Sequence, residues 1–459
     1  MTRIDADYLV VGAGASGLAF TDALVDHDPR ARVALVDRRT GPGGHWREAY
    51  PFVRLHQSST FYGVASTLLG GGRIQTEGPE AGLHERADQP TIQAYFDDVL
   101  ERLVGTGRVR LLAGHEYDDR TVVAQETGAR SVVPDGCRVV DARYLAPDIP
   151  AETPPRFAVD GVRVIPVNDL PRVEEDPSQY VVVGSGKTAT DAVVWLLGRG
   201  VDPDAICWVR PRDPWMLDRA QIQPDPAVYL AMVADLMGAA ATAPSLDALF
   251  LALEDAGIMM RIDRSVTPTM AKAPTLGRWE LDLLRSVEHV VRLGHLLSVR
   301  PGRLELESGT VALAPDALVV NCAADGLKLP PLVPIWRPDV ITVQPVRAGF
   351  PCFGAALAGY VEATRADDAD KNRIAPPSSY GNTLADWARM NVLGSRATAA
   401  FNAEPDIRDW ANRVPLNPAR IPPDHPGSPA LDDALARLSA VTAPAIANLD
   451  ELAATPSGG

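Results

Sequence analysis

At 459 residues, with 46% apolar and 22% charged residues, the chain has ordinary globular proportions and a length that suits two or three domains. A net charge of −15 argues against a nucleic-acid partner, because displacing counterions from a phosphate backbone needs clustered Lys and Arg. The start is too acidic for a secretory signal and no apolar run is long enough to span a bilayer, so a cytoplasmic chain with no membrane partner is expected. Cys137, Cys207, Cys322 and Cys352 stand far apart without zinc-like or Cys-x-x-Cys spacing. They read as small buried hydrophobes, and no metal site is expected.

Tyr8 to Val11 is a short apolar run, followed by Gly12, Gly14 and Gly17 in GAGASG and then by a helical pattern. In this strand, turn and helix, Gly12 permits the tight turn, Gly14 lets the backbone approach a pyrophosphate, and Gly17 allows helix to pack closely on strand. Ala15 and Ser16 open the helix, whose free N–H groups and positive dipole suit phosphate. A second apolar run, Val33 to Val36, ends in Asp37, about twenty residues past the glycines, where a carboxylate can accept ribose hydroxyls. Arg38 follows it. Without a ligand, the same residues would be a glycine-rich turn.

The next segment, GPGGHW, sets Gly43, Gly44, His45 and Trp46 just beyond that acid. Taken together, GAGASG, the acid and the GGxW stretch resemble the flavin-dependent monooxygenases, the two-dinucleotide family that includes N-hydroxylating and Baeyer-Villiger enzymes. The resemblance implies FAD at the first turn, with Gly43, Gly44, His45 and Trp46 beside the flavin. On its own, Trp46 reads as a core aromatic. In RLHQSSTFYG (54–63), relatives carry a Thr-Asn pair near the reactive edge of the flavin, and Gln57 stands in place of Asn. Gln keeps the amide's donor and acceptor groups, so Gln57 and Trp46 are the catalytic candidates. The alternative for His56, Gln57 and Ser58 is a polar loop with local side-chain caps.

The pattern recurs in YVVVGSGKTATDAVVWLLGRG: a strand from Tyr180 to Val183, then Gly184, Ser185 and Gly186, then a helix opening with Lys187 and Thr188, with Ala189 as the third small residue. The strand Ala205 to Val209 ends in Arg210, Pro211 and Arg212 rather than in an acid, and a guanidinium there accommodates the extra phosphate of NADP. NADPH is therefore expected, with Arg210 as its first partner and Arg212 and Lys187 behind it. A Pro-rich stretch, Pro147 to Pro155, reads as a domain crossing. Before the second turn the family usually carries a Phe-x-Gly-x-x-x-His fingerprint. Here the segment is AVDGVRVIPVNDL, with Pro166 in place of His and Asn168 and Asp169 following.

Further on, DPAVYLAMVADLMG and SLDALFLALEDAG are two amphipathic helical patterns, LELESGTVAL reads as a β-hairpin, and ALVVNCAADG (317–326) resembles a strand and turn returning to the first domain. Phe353, Gly354 and Gly359 match a helix start that relatives bring against the flavin, and the final PSGG reads as a tail. The expected fold is α/β, two Rossmann-like dinucleotide-binding domains. The NADP domain (156–316, with a helical insertion at about 223–260) interrupts a discontinuous FAD domain (1–155 and 317–459), which ends in a helical region. The function implied by the resemblance is an NADPH- and FAD-dependent monooxygenase that inserts one atom of O2 into a small organic molecule through a flavin hydroperoxide. An NADPH-dependent flavin reductase or dehydrogenase without oxygen insertion, and a non-catalytic nucleotide-binding protein, remain alternatives. Oligomeric state is open, a homodimer among the options.

Overall fold

Runs of β-branched and aliphatic residues such as YLVV and YVVV have no polar side, and they become strands only where both faces are covered. The computed structural model, which describes residues 2–324, 327–347 and 349–454, places them at the centres of two parallel five-stranded sheets. The first sheet runs in the order Val340–Thr342, Arg138–Asp141, Tyr8–Val11, Val33–Asp37, Val109–Ala113. The second runs Val164–Pro166, Leu318–Asn321, Tyr180–Val183, Ile206–Val209, Val290–Val291.

Each central strand feeds a glycine turn and a helix: α1 (Ala15–His27) in the first unit, whose outer strand follows α2 (Gln89–Gly105), and α3 (Lys187–Gly198) in the second. Helices α4 (Pro226–Thr242) and α5 (Leu246–Asp255) make the helical insertion, and α6 (Arg278–Arg285) packs near α3. After the second unit come α7 (Pro351–Thr364), α8 (Asp368–Ile374), α9 (Leu384–Asn402), α10 (Pro405–Arg413) and α11 (Pro429–Ala454). The segment LELESGTVAL is an antiparallel pair, Arg303–Leu306 with Gly309–Ala312. Among the described residues no helix is long and apolar enough to cross a membrane.

One boundary differs from the sequence expectation. Leu318–Asn321 pairs with Tyr180–Val183 and Val164–Pro166, not with the first sheet. The crossing back therefore lies beyond Asn321 rather than at 317, and Val340–Thr342 is the strand that rejoins the first sheet. A short apolar run fits either sheet equally well, so only its pairing decides. The end of ALVVNCAADG, Asp325 and Gly326, and the PSGG tail lie outside the described residues.

The insertion is roofed by the C-terminus. The largely apolar α4 lies along α11, and Asn448 donates to the carbonyls of Ala240 and Ala243 (2.8 Å each), supplying partners at the end of α4 that the helix cannot provide itself. On the opposite side, α7 lies against α1. A Cβ on Gly359 would fall 2.3 Å from the Phe20 carbonyl oxygen, so the two backbones touch where only hydrogen fits. Gly359→Ala is expected to destabilise the protein by about 1 to 3 kcal/mol through overpacking, read as a lower urea midpoint at unchanged slope. Nearby, the buried Glu362 carboxylate accepts from Tyr8 (2.9 Å), Trp336 (3.0 Å), Arg138 (3.2 Å) and Lys371 (2.6 Å), joining α7 and α8 to the first sheet.

Candidate functional site

Gly12 leaves its strand at φ +102°, a conformation that favours glycine. At Gly17, an added Cβ would sit 1.9 Å from the Gly12 carbonyl oxygen, which is why the start of α1 can close on the turn only without a side chain. Gly14 is the N-cap of α1 and provides no side-chain cap, so the amides of Ala15 and Ser16 stay open. By contrast, α2, α4, α5 and α9 all begin under a capping Asp, Ser or Thr side chain.

Asp37 ends its strand against this turn. One carboxylate oxygen accepts from the Ala13 N–H at 2.8 Å and the other from the Arg39 N–H at 2.9 Å. It thus braces the loop, and a carboxylate with about four lone-pair sites still has capacity for a ribose hydroxyl. Arg38 and Arg39 both reach Glu152 (2.5 and 2.8 Å), and Arg39 also bonds Glu48.

The GGHW segment lies directly on the first turn. The Gly43 N–H donates to Ala13 at 2.9 Å, and a Cβ on Gly44 would be 3.0 Å from the Gly14 Cα. Trp46 is buried, donates through Nε1 to the Tyr62 hydroxyl at 2.6 Å and meets that ring edge-on. His45 is held neutral, its pKa pushed down to about 4 by burial and by Arg39.

The 54–63 segment is more than a capped polar loop. Ser58 does cap the short turn Ser59–Phe61, and Ser59 accepts from the Ala87 N–H at 2.7 Å. The two carbonyls before Gln57, however, are held by guanidinium groups: Leu55 by Arg86 (2.9 Å) and His56 by Arg219 (2.9 Å), with Thr275 also bonding His56. Arg86 and Arg219 share Glu80, Arg219 bonds Glu280 at 2.7 Å, and all four side chains are buried. Burial works against ionisation of Glu80, but the two guanidinium groups prevail and hold its carboxyl near 2. Gln57 is 6% exposed.

The second turn repeats the first with a difference. Gly184 has φ +140° and its carbonyl accepts from Trp208 Nε1 at 2.8 Å. Gly186, the uncapped N-cap of α3, has no atom within 4 Å of where a Cβ would lie, so a phosphate-sized group has room above the amides of Lys187 and Thr188. Buried Ala189 takes the third position. Lys187 does not reach over the turn. Its ammonium pairs with Asp191, which also accepts from Tyr50 of the first unit at 2.7 Å. One turn along α3, Phe52 stacks on Trp195 at 5.1 Å.

Arg210, the leading phosphate candidate from sequence, points inward. Its guanidinium is 0% exposed, lies 4.6 Å from the centre of the Trp208 ring and 2.7 Å from Asp213, and burial drops its pKa to about 10. Trp208 belongs to a strand buried on both faces, and Arg210, just past the end of that strand, folds its guanidinium onto the Trp208 ring and Asp213. The Arg212 backbone N–H instead approaches the Ser185 hydroxyl (3.5 Å), at the lip of the turn. Pro166 ends its strand without a side-chain donor, while Asn168 bonds the Glu48 carbonyl at 2.6 Å.

Tyr50, Phe52 and Arg219 had no motif to mark them. Glu280 alone carried a signal, standing three residues after Gly277 at a helix start and accepting its N–H at 2.7 Å.

Residues 10–66 match the family model described as an NAD(P)-binding Rossmann-like domain. The fold resembles an oxidised steroid monooxygenase bound to NADP (TM-score 0.51, 14% identity, 87% of this chain and 92% of that one). It also resembles a mutant cyclohexanone monooxygenase from Rhodococcus sp. Phi1 bound to NADP+ (TM-score 0.50, 14% identity, 98% of each chain). Uncharacterized protein Rv2000 of Mycobacterium tuberculosis and uncharacterized protein Mb2023 of Mycobacterium bovis are each 40% identical over 420 residues, 90% of this chain and 78% of theirs. At that identity and coverage the chain belongs to the family of these mycobacterial proteins, and its own fold is α/β with two Rossmann-like units.

Proposed function

We propose that the protein is an FAD- and NADPH-dependent oxidoreductase, a monooxygenase acting on a small organic substrate. The observation that carries this reading is the pair of uncapped helix starts, α1 and α3, each behind a glycine turn at the end of a central parallel strand. Both cradles fit a dinucleotide: Gly186 opens on free space, and Gly14 meets only Gly44, at 3.5 Å from where a Cβ would lie.

On this reading Gly12, Gly14, Ala15, Ser16 and Gly17 receive the FAD pyrophosphate and Asp37 a ribose. Arg38 lines the adenosine side, and Gly44, His45 and Trp46 line the flavin. Gly184, Ser185, Gly186, Lys187 and Thr188 receive the NADPH pyrophosphate. Arg212 takes the 2′-phosphate, and Arg210 acts beneath it as the support of Trp208 and the turn. Bound FAD would supply hydride acceptance from NADPH and transfer of one oxygen atom from O2. The Gln57 amide offers a donor and an acceptor on a backbone fixed by Arg86 and Arg219, the orientation a reacting centre requires. Trp46 and Tyr62 keep water from that side. Four buried free thiols suit a reducing, cytoplasmic setting.

A reductase that releases its electrons without oxygen insertion is the second reading, favoured by the absence of a side-chain donor at Pro166. The visible spectrum separates them. Purified protein should be yellow and be bleached anaerobically by NADPH. On readmission of oxygen, slow recovery with little free peroxide supports the monooxygenase, and prompt stoichiometric peroxide supports the reductase. Colourless protein that takes up no FAD sinks both.

A further inference from the structure

The loop 344–350 leads into α7 and touches three parts of the molecule. Phe350, the N-cap of α7, meets Phe61 of the 54–63 segment edge-on at 5.2 Å and Tyr229 in the first turn of α4 at 6.0 Å. The Ser378 N–H, ahead of α9, donates to the Pro345 carbonyl at 2.7 Å. Arg347 stands at this junction. Its Nη1 donates to the Thr398 hydroxyl of α9 at 3.3 Å, and it forms no ion pair among the described residues. The buried Arg86, Arg210 and Arg219, by contrast, each hold a carboxylate. Taking a guanidinium out of water without a counter-charge is costly. A second donor close in the chain to Ser378, the Ser379 hydroxyl, is also enclosed and unpaired. Donors therefore gather about this loop without acceptors to match them. There is also room: Arg347 is partly exposed, only its Nε is both enclosed and unpaired, and a Cβ on Gly349 would meet no atom within 4 Å.

We propose that Arg347 is a specificity-determining residue that binds the carboxylate of the substrate, an apolar organic acid held where the first unit, the insertion and the C-terminal helices meet. This names the substrate class of the monooxygenase proposed above and rests on that reading. The planar fork of N–H donors on a guanidinium matches the two oxygens of a carboxylate, and Thr398 steadies it from the protein side. Junctions between parts of a fold are where ligand cavities lie, and the packed rings of Phe61, Phe350 and Tyr229 suit an apolar body. Through Phe350 and Phe61 the loop also stands against the segment that carries Gln57. A neutral compound of the same shape would leave the guanidinium without its counter-charge, so the site should select the anion.

The test is calorimetric titration of the purified protein at pH 7 with phenylacetate and with phenylacetamide, its neutral counterpart of the same size. Wild-type protein should bind phenylacetate at least about tenfold more tightly. Arg347→Ala should bring the two ligands within about twofold of each other, and Arg347→Lys, which keeps the charge but not the fork, should retain part of the preference. Variants are compared at equal flavin content and native circular dichroism, and Arg347→Gln replaces Arg347→Ala if the latter does not fold. Absence of a preference in the wild type, or a preference that survives loss of the guanidinium, overturns the assignment. The visible spectrum of the same samples tells the two failures apart: yellow protein bleached by NADPH but without the preference loses the Arg347 site alone, whereas colourless protein that takes up no FAD sinks the monooxygenase reading and this inference with it.

Discussion

Replacing Arg219 by alanine is expected to destabilise the protein by about 3 to 5 kcal/mol, because two buried carboxylates, Glu80 and Glu280, lose their shared guanidinium without regaining water. Denaturant unfolding at pH 7 measures it, and a loss below about 1 kcal/mol would show that the frame is not held as described. The pH dependence gives a second reading of the same contacts. Glu80 binds its proton less readily in the folded chain (about 2) than at its ordinary value of 4.5, so the unfolded state takes up more protons in acid. Its contribution to stability is therefore present above pH 4.5 and is lost as the pH falls towards 2. In Arg219→Ala that acid slope should be shallower.

The other large effect concerns flavin rather than stability. Gly14→Val should give folded but colourless protein, retaining less than roughly a tenth of the wild-type flavin because the side chain occupies the approach to the pyrophosphate. Gly14 has φ −83°, which valine adopts without strain, and its added Cβ would meet only the Gly44 Cα at ordinary contact distance. Far-ultraviolet circular dichroism should stay native while absorbance near the flavin maxima disappears. Retained yellow colour would mean that the pyrophosphate does not lie over Gly14. Gly17→Val would be less informative, since its Cβ meets the Gly12 carbonyl at 1.9 Å and must break the turn itself.

Much of this was legible in the chain because its causes are local. A tight turn at Gly12 and a close helix start at Gly17 need glycine whatever surrounds them, and an apolar run before such a turn has few alternatives to a buried parallel strand. The two units, their central strands and helices, and the acid at the end of the second strand follow from spacing alone. What spacing could not convey was direction and partnership. Arg210 and Arg212 look interchangeable in sequence, yet the folded chain buries the first against Trp208 and Asp213 and leaves the second at the turn. Leu318–Asn321 could have joined either sheet, and hydrogen bonds to Tyr180–Val183 assigned it to the second. The frame of Glu80, Arg86, Arg219 and Glu280 spans some two hundred positions, and the link from Tyr50 to Asp191 more than a hundred. No motif relates residues so far apart. Buried charges must find counter-charges wherever the fold delivers them, and only the folded chain could show which ones meet.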